Sequence, residues 1–267
     1  MSVESTKKII GVALGVCIVC SILVSITAVS LKARQDKNKK LEKIRNILIA
    51  GDLLDGKSKV EETYNKFIQA AIIDLETGMP LPKEKYTDDL NLESFDLKTV
   101  ASHPDYSINI PDNQDLAGIK RMPKYMAVYY VKGNGNFSKI ILPVYGKGLW
   151  STLYGFMAIG KDLRTIEGFT FYEHGETPGL GGEVDNPNWK KTWKGKKAFD
   201  DDWKVIIEVI KGRVDQSSAK AKNQVDGLSG STLTTRGIDN LVKFWLGNNG
   251  YGPFFERLRE EMLNDQI

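Results

Sequence analysis

A cluster of hydroxyl side chains near the end of the sequence is the strongest candidate for chemistry. The cluster follows the turn-forming pair Asp226-Gly227, and it comprises Ser229, Ser231, Thr232, Thr234 and Thr235. Apolar residues at helical spacing come directly afterwards, which predicts that an amphipathic helix begins here. Because the first N–H groups of a helix lack partners within it, they bind anions such as phosphate. A threonine at this position could therefore cap the helix, bind a phosphate group, or be esterified to one.

Two segments further up the chain contain closely spaced glycines. Residues 146–151 read Gly-Lys-Gly-Leu-Trp-Ser, and residues 173–182 read Glu-His-Gly-Glu-Thr-Pro-Gly-Leu-Gly-Gly. Glycines let backbone amides approach a bound group closely, and Leu180 could pack against such a group. The same segments could instead form ordinary turns, with Glu176 or Thr177 as a capping residue.

Taken in order, the three segments resemble those of the C subunit of the Na+-translocating NADH:quinone reductase, an FMN-binding family. The string Asp-x-x-Ser-Gly-x-Thr, which ends at Thr232, resembles the motif on which a flavin transferase attaches FMN through a phosphoester to the threonine. The family usually has alanine immediately before the acceptor threonine, where this chain has Ser231. The additional hydroxyl makes Ser231 a minor second candidate for the modified residue.

The resemblance implies an FMN site built from the acceptor segment and the two upstream loops. Thr232 would carry the covalent FMN, which fixes the phosphate end while other residues hold the ring. The implied cofactor-binding residues are Trp150, Ser151, Glu176, Thr177, Gly179, Leu180, Gly181, Asp226, Ser229, Gly230 and Ser231. Neither a catalytic residue nor a metal ligand is expected in this chain.

The resemblance further implies an electron-transfer subunit of a sodium-pumping NADH:quinone oxidoreductase that is not catalytic on its own. Such a subunit would relay electrons from NADH towards quinone, coupled to Na+ export, beside the other membrane and peripheral subunits. The glycines of 179–182 lack the spacing of a dinucleotide-binding fingerprint, so NADH must be oxidised elsewhere. Two alternatives stay open: the flavin subunit of the related ferredoxin:NAD reductase complex, and a non-catalytic anchored binding or assembly domain.

An uncharged, apolar stretch at residues 9–31 is long enough to span a membrane. At 1.5 Å per residue, a helix of this length extends about 34 Å, which exceeds the hydrocarbon thickness of a bilayer. A cleavable signal peptide is the alternative, but its apolar region is usually only about 7–15 residues long. Cys17 and Cys20, which lie in this stretch, are expected to be small packing residues. The sequence therefore predicts a retained single-pass anchor.

The charges around this stretch give conflicting indications of its orientation. Two lysines precede it, and five basic residues follow it: Lys32, Arg34, Lys37, Lys39 and Lys40. The positive-inside rule would place the following domain in the cytoplasm, but the rule loses weight before a long domain. The resemblance implies the periplasmic face of the bacterial inner membrane, outside which the flavin transferase works. The basic run at 32–45 should meet anionic lipid headgroups rather than nucleic acid, for which the sequence has no binding motif.

The order of the predicted elements indicates an α+β fold. A single N-terminal transmembrane helix should precede one soluble domain, in which helices flank a mostly antiparallel sheet. The predicted boundaries are a tail at 1–8, the transmembrane helix at 9–31, a juxtamembrane helix or linker at 32–56, and the soluble FMN-binding domain at 57–267.

Hydrophobic periodicity predicts the individual elements of this domain. Strands are expected at 125–131, 137–145, 156–160 and 166–173, with a strand or helix at 203–210. The first two strands should form a hairpin around the turn at 133–136. Helices are expected at 60–68, after Thr234 and from about Phe254, whereas 76–125 should be loop with short elements.

Overall fold

The computed structural model describes residues 6–54, 59–133 and 137–264. The chain divides into two units, Met1–Lys43 and Ile44–Ile267. Helix α1 (Thr6–Ala50) provides all of the described part of the first unit, and its apolar side chains at 9–31 are exposed. Within these ranges it is the one helix that is long and apolar enough to cross a membrane. Because an apolar surface of this length is stable in lipid rather than in water, α1 indicates a single-pass membrane anchor.

The second unit is built around a five-stranded antiparallel sheet. In spatial order its strands are β1 (Ile68–Asp74), β4 (Tyr125–Val131), β5 (Lys139–Lys147), β6 (Thr152–Gly160) and β7 (Ile166–Glu173). The central strands β5 and β6 are almost entirely buried, because other elements cover both faces of the sheet. They form a hairpin in which Lys147 pairs with Thr152, so the loop at 148–151 lies at one end of the sheet.

Shorter elements occupy the chain between and after these strands. The helices are α2 (Val60–Phe67), α3 (Leu97–Ser102) and α4 (Pro187–Lys191). Two small sheets accompany them: β2 (Ser107–Asn109) pairs antiparallel with β3 (Arg121–Pro123), and β8 (Glu208–Val209) pairs parallel with β9 (Gln224–Val225). Three 3-10 helices complete the set: Lys83–Lys85, Gly181–Asp185 and Ala219–Asn223.

Two amphipathic helices, α5 (Thr232–Leu246) and α6 (Gly252–Asn264), end the described chain. Helix α5 packs so closely on β5 that a Cβ atom added to Gly146 would lie 2.4 Å from the Cβ atom of Leu241. One turn into the helix, a Cβ atom on Gly237 would lie 2.3 Å from the carbonyl oxygen of Lys147. Glycine at both contacts therefore brings the beginning of α5 beside the loop at 148–151.

The predicted fold class is confirmed, since a long apolar helix precedes a unit of helices around an antiparallel sheet. Strands β4 and β7 coincide with the predicted strands at 125–131 and 166–173. Strands β4 and β5 also pair antiparallel, as the predicted hairpin requires. Residues 134–136 of the predicted turn lie outside the described residues.

Two strands differ from the prediction because glycine and alanine obscure their pattern. Strand β6 begins at Thr152 rather than at residue 156, and it contains Gly155 at an irregularity of the β6–β7 pairing. A Cβ atom on Gly155 would lie 2.6 Å from the carbonyl oxygen of Thr170, so this glycine marks close approach of two strands rather than a strand boundary. Strand β1 was not predicted, since its Ala-rich sequence does not alternate and its pairing with β4 is distant in sequence.

The prediction of a strand or helix over the whole of 203–210 is wrong. Trp203 has a φ angle of +63°, a left-handed conformation that neither element contains. Its N–H donates to the carbonyl oxygen of Asp200 at 3.2 Å, which closes a turn. Only Glu208–Val209 is extended within a sheet, as β8.

Candidate functional site

The turn before α5 depends on two glycines. Gly230 has a φ angle of +71°, which glycine adopts without strain, and a Cβ atom there would lie 3.0 Å from the Cδ2 atom of Leu180. A Cβ atom on Gly227 would lie 2.2 Å from the carbonyl oxygen of Ile210. The turn is therefore packed between the loop at 176–182 and the chain that follows β8.

The structure separates the five hydroxyls of the cluster into two groups. Ser231, Thr234 and Thr235 are buried, whereas Ser229 and Thr232 are exposed. Each buried hydroxyl is hydrogen bonded: Ser231 Oγ donates to Thr234 Oγ1 at 2.8 Å, and Thr235 Oγ1 donates to the carbonyl oxygen of Ser231 at 2.9 Å. Thr232 Oγ1 has no hydrogen-bond partner in the described part of the chain. Thr232 therefore presents an accessible hydroxyl beside neighbours whose hydroxyls are engaged.

Thr232 is also the first residue of α5, where backbone donors are free. The side chain of Ser231 does not cap the helix. Within the described ranges, the N–H groups of Thr232, Leu233 and Thr234 have no acceptor. The N–H group of Thr235 is the first of the helix to have one, and it donates to the carbonyl oxygen of Ser231 at 3.0 Å. Three free donors and the positive end of the helix dipole favour a phosphate at this point.

Glu176 connects the three loops that surround this helix terminus. Its side chain is 5% exposed, and its Oε2 atom accepts from Thr234 Oγ1 at 2.6 Å and from the N–H of Leu149 at 3.3 Å. Its Oε1 atom accepts from the N–H groups of Trp150 and Ser151 at 3.0 and 3.1 Å, and from Ser151 Oγ at 3.3 Å. The carboxylate thus joins the loop at 148–151 to the start of α5.

These hydrogen bonds also determine the charge of Glu176. Burial by itself would raise the pKa of the carboxyl group, because the charged form loses water. The hydrogen bonds from Thr234 and from the backbone of Trp150, Ser151 and Leu149 outweigh burial, so the pKa of Glu176 is lower than its ordinary value. Glu176 is therefore ionised near neutral pH and acts as an acceptor in every one of these contacts.

Two glycines leave room for this carboxylate. A Cβ atom on Gly148 would lie 2.6 Å from Glu176 Oε1, and one on Gly181 would lie 2.8 Å from Oε2 and 2.7 Å from Thr234 Oγ1. Gly148 and Thr234 were not among the predicted site residues, although both belong to the segments that carried the prediction. Gly148 could have been predicted, because it directly precedes the predicted residues at 150–151. Thr234 could not, because its hydrogen-bond partner Glu176 is far away in sequence.

The three segments of the site carry exposed apolar side chains. The exposed fraction is 68% for Trp150, 44% for Leu180 and 54% for Leu233, and Leu180 lies against Gly230. An exposed apolar side chain offers surface that an apolar group of a ligand can cover. Trp150 is therefore not a core residue.

The other predicted residues, Asp226, Thr177 and Gly179, shape the turn and the loop of the site. Asp226 Oδ1 accepts from the N–H of Val214 at 2.8 Å, so its carboxylate holds the chain before the turn. Thr177 and Gly179 are exposed in the same loop as Leu180. The carbonyl oxygen of Thr177 accepts from the N–H groups of Leu180 and Gly182, and a Cβ atom on Gly179 would meet nothing within 4 Å. These contacts shape the loop and leave open space above it.

The residues present fit FMN. A phosphate requires donors, and the start of α5 offers three free N–H groups beside the hydroxyl of Thr232. An isoalloxazine ring requires an accessible apolar surface, which Trp150 and Leu180 provide. The loop is open to its surroundings at Gly179, since a Cβ atom there would meet nothing within 4 Å.

Comparison with known proteins agrees with this site. The FMN-binding domain family matches residues 148–247, which include all three loops. The C subunit of the Na(+)-translocating NADH-quinone reductase of Pseudomonas aeruginosa is 46% identical over 261 residues, covering 96% of this chain and 97% of the relative. The same subunit of Yersinia pestis is 42% identical, covering 98% of this chain and 96% of the relative.

Solved structures give the same assignment. The crystal structure of Shewanella oneidensis NqrC is 35% identical with a TM-score of 0.74, and the match covers 84% of this chain and 99% of that structure. The corresponding structure from Parabacteroides distasonis is 26% identical with a TM-score of 0.62, over 84% of this chain and 96% of that structure. This chain therefore belongs to the NqrC family, the C subunits of the Na(+)-translocating NADH-quinone reductases.

Proposed function

We propose that this chain is the electron-transfer flavin subunit of a sodium-pumping NADH:quinone oxidoreductase, with FMN joined to Thr232 by a phosphoester. The observation that carries the covalent assignment is the exposed hydroxyl of Thr232 at the first position of α5, which has no hydrogen-bond partner among the described residues. FMN is the cofactor, in agreement with the FMN-binding domain match. Bound FMN supplies electron transfer, and the chain supplies its attachment and surroundings.

Each group at the site has a distinct role in this proposal. In the attachment step, Thr232 Oγ1 displaces AMP from a flavin dinucleotide donor. One oxygen–phosphorus bond forms, the pyrophosphate bond breaks, and the hydroxyl proton leaves to solvent. The free N–H groups at the start of α5 stabilise the phosphate charge. Trp150 and Leu180 provide the apolar surface for the ring, while Glu176 holds the loops in position.

The proposal includes partners beyond the site. NADH is oxidised on another subunit, and the chain relays electrons towards quinone within the assembled complex, coupled to Na+ export. A flavin transferase attaches the cofactor, and we place the soluble unit in the periplasm, on the side where that enzyme works. The basic run at 32–45 contacts anionic lipid headgroups beside the anchor.

Intact mass of the purified chain tests the covalent assignment. We expect wild-type chain to carry the mass of one FMN phosphoester, and its band to fluoresce after denaturing electrophoresis. Thr232→Val should remove both signals because it keeps the shape and deletes the hydroxyl. Ser217→Ala is the control, since it deletes an exposed hydroxyl outside the cluster and should leave the flavin attached. A flavinylated Thr232→Val chain would disprove the assignment.

A further inference from the structure

We propose that Glu176 determines which hydroxyl of the cluster becomes flavinylated, by engaging Ser231 and Thr234 in a buried chain of hydrogen bonds. This inference rests on the proposed attachment of FMN to Thr232. Glu176 is a positioning residue in this role, because it does not contact the acceptor oxygen itself. Its effect is to leave Thr232 as the reactive hydroxyl among three that lie within one turn of helix.

The direction of the hydrogen-bond chain follows from the chemistry of its last member. An ionised carboxylate can only accept, so Thr234 Oγ1 must donate its hydrogen to Glu176 Oε2 at 2.6 Å. The oxygen of Thr234 is then the acceptor for the hydroxyl hydrogen of Ser231 at 2.8 Å. Both hydroxyl hydrogens are therefore used in hydrogen bonds, and both side chains are directed into the protein interior.

This arrangement accommodates the serine hydroxyl at position 231 in the interior. Ser231 is 6% exposed and Thr234 is fully buried, so neither oxygen is accessible to a phosphorus centre. Thr232, between them in sequence, is exposed, and its hydroxyl is outside the hydrogen-bond chain. The extra hydroxyl of Ser231 thus extends the buried chain instead of competing with Thr232.

Replacement of Glu176 by glutamine should reverse the direction of these hydrogen bonds. The oxygen of the new amide must face the three donors from Trp150 and Ser151, so its NH2 group faces Thr234. Thr234 Oγ1 then accepts instead of donating, and its hydrogen turns to Ser231 Oγ. The hydroxyl hydrogen of Ser231 loses its acceptor, which frees that side chain to turn outwards.

The test maps the flavinylated residue in full-length chains expressed with a flavin transferase. We expect Thr232→Val alone to carry no flavin, because the intact chain of hydrogen bonds keeps Ser231 engaged. The double variant Thr232→Val with Glu176→Gln should regain flavin on Ser231. Thr232→Val with Thr234→Val should regain it too, since valine has the shape of threonine but offers no acceptor. Peptide mass mapping locates the flavin, and thermal unfolding identifies variants that do not fold.

Two controls make the outcome specific. Adding Ser231→Ala to either double variant should abolish the regained signal. Thr232→Val with Ser229→Ala should stay without flavin, because Ser229 is not in the hydrogen-bond chain. A merely structural role of Glu176 would lower the amount of flavin without moving it to another residue.

The failures of the two proposals are distinguishable. Wild-type chain without covalent flavin, or with flavin on a residue other than Thr232, would overturn the proposed attachment and this inference with it. Wild-type chain flavinylated on Thr232, together with folded double variants that carry no flavin, would overturn the role of Glu176 alone.

Discussion

The Oγ1 atom of Thr234 lies 2.6 Å from the Oε2 atom of Glu176, although 58 residues separate the two in sequence. This contact links the beginning of α5 to the loop that follows β7. Because Glu176 also accepts from the backbone of the loop at 148–151, one buried carboxylate holds all three segments of the site. The site is therefore held together by contacts within the chain.

Glu176→Gln should destabilise the chain near neutral pH and have less effect in acid. The amide brings a donor against the N–H of Leu149, and a buried unsatisfied donor costs about 1–3 kcal/mol of unfolding free energy. The pKa of Glu176 is lowered from 4.5 in the folded chain, so the charged form contributes stability above pH 4.5, and this contribution is lost as the pH falls through the folded pKa.

Urea unfolding of the full-length chain in detergent, followed near neutral pH and in acid, measures this difference. The gap between wild type and Glu176→Gln should narrow as the pH falls below the unfolded pKa. Glu76→Gln, which changes an exposed carboxylate in the turn after β1, is the control and should leave stability unchanged at both pH values. A gap that widens in acid would contradict the prediction.

Gly181→Ala should disturb the site more than glycine substitution elsewhere. The added Cβ atom would lie 2.7 Å from Thr234 Oγ1 and 2.8 Å from Glu176 Oε2, so one of these atoms must move and the contact between them is lost. We expect a large loss of covalent flavin, measured by intact mass. Gly195→Ala is the matched control: Gly195 has a φ angle of +83° with nothing near its Cβ position, so strain of about 1–2 kcal/mol should be its sole effect.

Asp226→Asn should distinguish a role of Asp226 in recognition by the transferase from a role in stabilising the fold. Asp226 Oδ1 accepts from the N–H of Val214 at 2.8 Å, and the amide oxygen of asparagine can keep this hydrogen bond. We expect Asp226→Asn to fold with wild-type stability and to carry little flavin, because the negative charge serves the transferase. Asp226→Ala should lose flavin as well, with about 1–3 kcal/mol less stability. Full flavinylation of Asp226→Asn would identify Asp226 as a purely structural residue.

The sequence predicted those elements whose pattern is local. Strands β4 and β7 are dense in β-branched and aromatic residues, and their bounds matched the prediction. Helix α5 was predicted from apolar spacing after Thr234, and it begins at Thr232. In contrast, β1 is a strand because it pairs with β4, with Ile68 opposite Val131. No local sequence pattern predicts this pairing.

The same distinction applies to the site. Its three segments could be found from their composition, because glycines and hydroxyls are visible in the sequence. Their connection could not be found, since the buried carboxylate of Glu176 and the hydroxyl of Thr234 meet only in the folded chain. The resemblance of the motif singled out Thr232 and left Ser231 as a minor candidate, and only the folded chain shows that Ser231 is buried whereas Thr232 is exposed.

The last prediction concerns the side of the membrane on which the soluble unit lies. We expect the periplasm, because the enzyme that modifies the flavin motif works outside the inner membrane. The charge distribution argues for the other side, with five basic residues at 32–40 and two before the apolar stretch. Charge bias has less influence on orientation when a long domain follows, as it does here.

An engineered cysteine decides between the two sides. Ser217 is exposed in the segment between β8 and β9, so Ser217→Cys should react readily with a thiol reagent. The two natural cysteines, Cys17 and Cys20, lie within the apolar stretch of α1, where a charged reagent has no access. In intact spheroplasts, a membrane-impermeant reagent should label Ser217→Cys and leave the wild-type chain unlabelled. Labelling that required lysis would instead place the unit in the cytoplasm, as the positive-inside rule suggests.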